Sequence, residues 1–152
     1  MIRSGGARDV PFLRDMLRHA FYWRTPVGEQ EPPLTRYVNG WGRPGDRSLI
    51  VFDDFVPVGA AWYRLFTAED PGFGFVDAQT PELTIVVVPS RQGQGIGQLL
   101  LAGLVERAQA DAYRGLSVSV EKSHPEVAVY EAAGFEQVAE SGLALTMRRG
   151  FA

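Results

Sequence analysis

Val86-Val87-Val88-Pro89-Ser90-Arg91-Gln92-Gly93-Gln94-Gly95-Ile96-Gly97-Gln98-Leu99-Leu100 is the stretch that decides how this chain is read. A β-branched run stops at Pro89, a loop with glycines at alternate positions follows, and a helical apolar pattern then begins. β-Branched runs favour strands, and a proline cannot donate to a strand ladder. Glycines leave backbone N–H groups uncovered, and the first turn of a helix presents unpaired N–H donors carrying partial positive charge. Strand, bare loop and helix start in this order predict a cradle for a phosphorylated ligand. One glycine satisfies a turn that needs positive φ, whereas three (Gly93, Gly95, Gly97) suit a ligand that comes close to the backbone.

Two common phosphate binders are excluded by the same residues. A nucleoside-triphosphate loop requires Gly-x-x-x-x-Gly-Lys-Ser/Thr, and no lysine is present here. The dinucleotide fingerprint requires Gly-x-Gly-x-x-Gly, and from Gly93 or Gly95 its last position falls on Gln98 or Leu100. The pattern that fits is Gln92-x-x-Gly95-x-Gly97.

Composition bounds the rest. The chain of 152 residues, 45% apolar and 22% charged, is ordinary globular sequence and is expected to form one domain, residues 1–152. A net charge of −3 argues against broad affinity for nucleic acid or anionic membrane. With no cysteine, disulfides, thiolate nucleophiles and cysteine zinc sites are excluded, and His19 and His124 lack metal-ligand spacing, so no metal is expected. Met1–Gly6 lacks the apolar core of a signal peptide, and no window approaches the ~20 apolar residues of a membrane span, so a cytoplasmic location is expected.

Periodicity and breakers order the elements. A short strand near Ile2 precedes a helix with Asp9 as its N-cap or first-turn acid and apolar positions Phe12, Leu13, Met16, Leu17, Ala20 and Phe21. Thr25–Pro33 reads as a loop and Leu34–Trp41 as a short helix. Ser48–Phe52 and Val58–Phe66 read as strands about the turn Asp53–Pro57, and Thr67–Pro81 as a long connection. Leu83–Val88 is a strand, Ile96–Ala112 a helix, and Leu116–Val120 a strand. Ser123-His124-Pro125-Glu126 has capping-box spacing and opens a helix that Gly134 stops. Phe135–Ser141 and Leu143–Arg149 form a hairpin about Gly142, which makes the whole a mixed α+β sheet domain.

At Gln92-x-x-Gly95-x-Gly97 the chain resembles the GNAT superfamily of acyl-coenzyme A-dependent N-acetyltransferases, whose most recognisable segment is Arg/Gln-x-x-Gly-x-Gly/Ala between its fourth strand and third helix. A second match lies downstream, in Val127-Ala128-Val129-Tyr130-Glu131-Ala132-Ala133-Gly134-Phe135, similar to the family's later helix with a tyrosine four residues before Gly-Phe. The resemblance implies a GNAT fold, a central mixed, mostly antiparallel sheet of six to seven strands flanked by about four helices. It also implies transfer of an acetyl group from acetyl-CoA, as co-substrate, to a primary amine of a small molecule or peptide by direct attack in a ternary complex. One departure stands out: where the family often has asparagine six residues before the tyrosine, this chain has His124.

On that resemblance, Arg91, Gln92, Gly93, Gln94, Gly95, Ile96, Gly97 and Gln98 hold the pyrophosphate. The backbone of Val86, Val87 and Val88 pairs with the pantetheine arm, an N–H near Val87 stabilises the oxyanion, and Tyr130 contacts the cofactor and protonates the departing thiolate. Tyrosine, with a pKa of ~10, is protonated at neutral pH yet able to donate; a core role for Tyr130 is the competing reading. An amine nucleophile must lose a proton before attack, which a carboxylate accepts directly or through water. Glu82 is the candidate base, against the reading that it is merely solvated; Glu121 and Asp77 are alternatives, and His124 a further titratable group. Phe21, Tyr22, Trp23, Tyr37, Trp41, Trp62, Tyr63, Phe73 and Phe75 are candidates for an acceptor pocket or for core. Trp62 and Tyr63 cannot both line one side of a strand. A non-catalytic acyl-CoA sensor, an assembly subunit and a homodimer are the other readings, and the amine itself is not encoded in any motif.

Overall fold

The computed structural model describes residues 1–20 and 36–151. Seven strands form one mixed sheet in the order β1-β2-β3-β4-β5-β7-β6: β1 Ile2–Ser4, β2 Arg47–Asp53, β3 Val56–Arg64, β4 Glu82–Val87, β5 Gly115–Glu121, β6 Glu136–Ser141 and β7 Ala144–Gly150. Three helices are described: α1 Val10–Ala20, α2 Ile96–Ala110 and α3 Glu126–Ala132. This is the mixed α+β sheet that the sequence implied. The chain divides into two compact units, Met1–Arg64 with Thr84–Leu104, and Leu65–Leu83 with Val105–Ala152.

In the first unit β1, β2 and β3 pair antiparallel, with Leu49 opposite both Ser4 and Ala61. The β2–β3 turn is tighter than its sequence suggests: both strands extend inward, leaving Asp54 (φ +56°) and Phe55 as the turn. The apolar residues Leu13, Met16 and Leu17 of α1 are buried as their spacing predicts. Of the two places the sequence offers Asp9, it takes that of the first-turn acid. It closes a 3-10 turn, Ala7–Asp9, where its carboxylate accepts the Gly6 N–H (2.8 Å) and pairs with Arg3 (2.9 Å), so its pKa falls below the usual carboxylate value. Gly59 lets α2 lie against β3, since a Cβ there would stand 3.0 Å from Ile96 Cγ2 and 3.3 Å from Leu100 Cδ1. Of Leu34–Trp41, residues 36–40 are turns and the earlier part lies outside the described residues, as do Thr25–Pro33 and Phe21, Tyr22 and Trp23.

In the second unit β4 begins parallel to β5, with Glu82 opposite Ser117 and Leu83 opposite Val118, and the Ser117 N–H donates to the Pro81 carbonyl (2.9 Å). β5, β7 and β6 continue antiparallel. Helix α2 ends at Ala110 rather than Ala112, which adopts φ +66°. The expected capping box of α3 does not form: no Ser123 side chain caps it, and His124 Nδ1 accepts the Glu126 N–H instead (3.0 Å). Gly134, at φ +91°, stops the helix as expected.

Candidate active site

The glycine segment keeps its backbone open in the way the sequence suggested, with one difference. Gly93 (φ +81°) and Gly95 (φ +80°) occupy the left-handed region, where side chains are strained, but Gly97 lies within the first turn of α2 and does not. No heavy atom comes within 4 Å of a Cβ built on Gly93, and only Gln98 Oε1, at 3.8 Å, does so at Gly95. The first helical hydrogen bond of α2 runs from Leu99 N–H to the Gly95 carbonyl (3.1 Å), so the amides of Ile96, Gly97 and Gln98 precede the ladder. A 15-residue helix thus begins behind an exposed loop with its N-terminal donors forward.

The polar side chains of the segment serve the loop itself. Gln92 Nε2 donates to the Val87 carbonyl (3.3 Å), tying the loop to the strand end, and Arg91 pairs with Asp53 at the end of β2. The Val88 N–H is already committed to the Val58 carbonyl (2.9 Å), so Val88 offers no free amide to a ligand. Val86 and Val87 bury their side chains.

In the second unit the candidate catalytic side chains are buried. Glu82 is 1% exposed, which removes the reading of a merely solvated strand-edge carboxylate. Its register partner Ser117 lies beside it, fully buried. Tyr130 is 3% exposed, and Phe135 packs edge-on against it with ring centroids 5.4 Å apart. Burial, reinforced by the Glu126 carboxylate one turn earlier, raises the Tyr130 pKa well above its usual value. Glu126 is itself raised, chiefly by burial, with His124 opposing the shift. Tyr130 is therefore a protonated phenol throughout the neutral range.

The alternatives are placed less favourably. Asp77 is exposed, and its Oδ1 accepts the Gln79 N–H (2.8 Å) and the Thr80 hydroxyl (2.9 Å), a local turn. Glu121 is half-buried at the end of β5. His124 does helix-end work. Of the aromatic set, Tyr37, Trp62 and Tyr63 are core, with Trp62 Nε1 donating to the Tyr37 carbonyl (3.2 Å), while Trp41, Phe73 and Phe75 are half-buried. Sequence reading missed Arg64. Its guanidinium forms a two-contact pair with Asp46 (2.8 and 3.0 Å), donates to the Arg36 and Asn39 carbonyls (2.9 and 2.6 Å) and stacks on Trp41. An arginine ending the apolar strand Val56–Arg64 was the available signal. Among the described residues no cluster of three or more His, Cys, Asp or Glu is placed to hold a metal ion, and no helix is long and apolar enough to cross a membrane.

The model of the acetyltransferase (GNAT) family matches residues 11–135, and the chain belongs to that family, with acetyltransferase as its enzyme class. Solved structures agree in fold. A ribosomal-protein-alanine N-acetyltransferase from Brucella melitensis has a TM-score of 0.74 at 23% identity, with 99% of each chain covered. The yncA protein of Salmonella typhimurium, solved with its cofactor acetyl-CoA, gives 0.74 at 19% identity, covering 99% of this chain and 92% of that one. The PaiA N-acetyltransferase from Thermoplasma acidophilum, solved with coenzyme A, gives 0.69 at 15%, covering 99% and 98%. No curated protein sequence matches the chain.

Proposed function

We propose that the chain is a single-domain N-acetyltransferase that passes the acetyl group of acetyl-CoA directly to a primary amine on a small molecule or peptide. The observation that carries this is the Gly93–Gln98 segment, two left-handed glycines leading into α2 with its first amides unpaired in the ladder. A pyrophosphate suits such a row of N–H donors, and the absence of side chains at 93 and 95 lets it approach. Neighbours of the same fold were solved with acetyl-CoA and coenzyme A, which supports the same donor here.

In this reading the Val87 amide polarises the thioester carbonyl, and Glu82 takes the proton of the attacking amine, directly or through water. The nitrogen–acyl bond forms as the carbon–sulfur bond breaks, and Tyr130 gives its proton to the sulfur. Burial holds the phenol protonated, so the proton is in place when the sulfur leaves. No covalent acyl-enzyme is expected from a chain without cysteine. A cytoplasmic location fits the composition.

Release of free thiol from acetyl-CoA across a panel of polyamines, aminoglycosides and lysine peptides tests the proposal. Thiol release with at least one amine class is expected. Acetyl-CoA binding without release from any of them would favour the sensor reading instead.

A further inference from the structure

We propose that Asp53 is a built-in competitor for Arg91, so that the guanidinium exchanges between the Asp53 carboxylate and a phosphate of the donor, setting donor affinity and release. This rests on the coenzyme A reading above. Arg91 is the only charged side chain between Glu82 and Glu106, and therefore the only formal positive charge the loop brings to an anionic ligand. Its neighbour Gln92 is spent on the Val87 carbonyl. Arg91 closes the 3-10 turn Pro89–Arg91, two residues before the left-handed Gly93, and its N–H donates to the Val88 carbonyl (2.9 Å). Its backbone is thereby fixed while its side chain is free to swing.

The pair is built to be broken. Arg91 and Asp53 are 34% and 49% exposed, and a single guanidinium nitrogen contacts a single carboxylate oxygen. Such surface pairs contribute little, because water and salt screen them. A phosphate offers two oxygens and more charge to the planar fork of the guanidinium, which it can then contact through two nitrogens. The β2–β3 turn adds Asp54 beside Asp53, so an anion reaching the loop meets two carboxylates and must draw Arg91 away from one of them. When the product leaves, Asp53 takes the guanidinium back, which lowers affinity and favours turnover of the donor. Asp53 here is a positioning residue acting through Arg91.

Calorimetric titration of coenzyme A into the full chain tests this with D53N, R91Q, the double variant and D54N, each checked for folding by circular dichroism. D53N is expected to tighten coenzyme A binding about three- to five-fold, and R91Q to weaken it about five- to ten-fold. In the R91Q background D53N is expected to change nothing beyond what D54N does, since D54N removes the same charge without touching the pair. Unchanged or weaker binding in D53N would overturn the proposal. So would equal tightening with and without Arg91, which would mean a long-range field rather than exchange. Absence of coenzyme A binding in the wild type would overturn the donor reading itself, and this proposal with it.

Discussion

The glycine loop and the Tyr130 helix, which the proposed function assigns to one reaction, are built in opposite ways. At the loop the proposed recognition groups are main-chain amides, side chains are absent or turned to holding the loop, and the residues are exposed. At α3 and the start of β4 the proposed working groups are side chains, Tyr130 and Glu82, at 3% and 1% exposure, and their behaviour is set by what surrounds them. A backbone site is encoded by which residues permit a conformation. A side-chain site is encoded by burial and neighbours. The first is local in sequence and the second is not.

The sharpest way to break that comparison is at Gly95. A valine there must adopt φ +80° and places its branches where the ligand approaches, so G95V is expected to weaken coenzyme A binding at least 100-fold by calorimetry. G97A is its control, because Gly97 has helical backbone; binding close to wild type is expected, and an equal loss at both positions would mean that the loop is not read through its conformation. Next in size is Y130F, expected to lower kcat about 100-fold while leaving the Kd for coenzyme A within about two-fold. Unchanged turnover would make Tyr130 core only. The raised Tyr130 pKa has a signed consequence. A phenol whose folded pKa exceeds its unfolded value contributes stability below the unfolded pKa, near 10, and loses it only as pH rises through the folded value. Activity is thus expected to show no alkaline loss from Tyr130 up to about pH 10. E126Q removes the neighbouring negative charge and should lower the Tyr130 pKa, read by phenolate absorbance. The smallest effect is at the α3 start. H124A loses the cap to Glu126 N–H and is expected to cost about 1 kcal/mol in chemical denaturation, whereas H124N retains an acceptor and most of that stability.

Legibility followed the same division. The strand–loop–helix order and the stops at Gly134 and Gly142 were readable because glycine and proline act locally, and the alternating and helical patterns placed all seven strands and the three described helices. Gly97 was grouped with Gly93 and Gly95 because the three share a spacing, yet only two take left-handed backbone. The α3 cap misled for a related reason. Ser123 has the right residue type at the right distance, but His124 takes the Glu126 N–H once neighbouring backbone is fixed. Glu82 could be named but not its burial, since a carboxylate at a strand start is usually wet. Arg64 was invisible because its partners, Asp46 and the Arg36 and Asn39 carbonyls, come from a loop without periodicity. Likewise the sequence names Arg91 and Gln92 but not the partners that hold them here, Asp53 and the Val87 carbonyl, which lie outside the motif.

The central claim is that backbone amides of one short segment bind the donor's pyrophosphate. Amide chemical-shift mapping by NMR, titrating coenzyme A into labelled protein, tests it most directly. The account predicts that the largest shifts fall on the N–H groups of Gly93 to Gln98, with the Leu99 amide, already bonded to Gly95, shifting less. Saturable binding that leaves Gly93 to Gln98 unperturbed would contradict it.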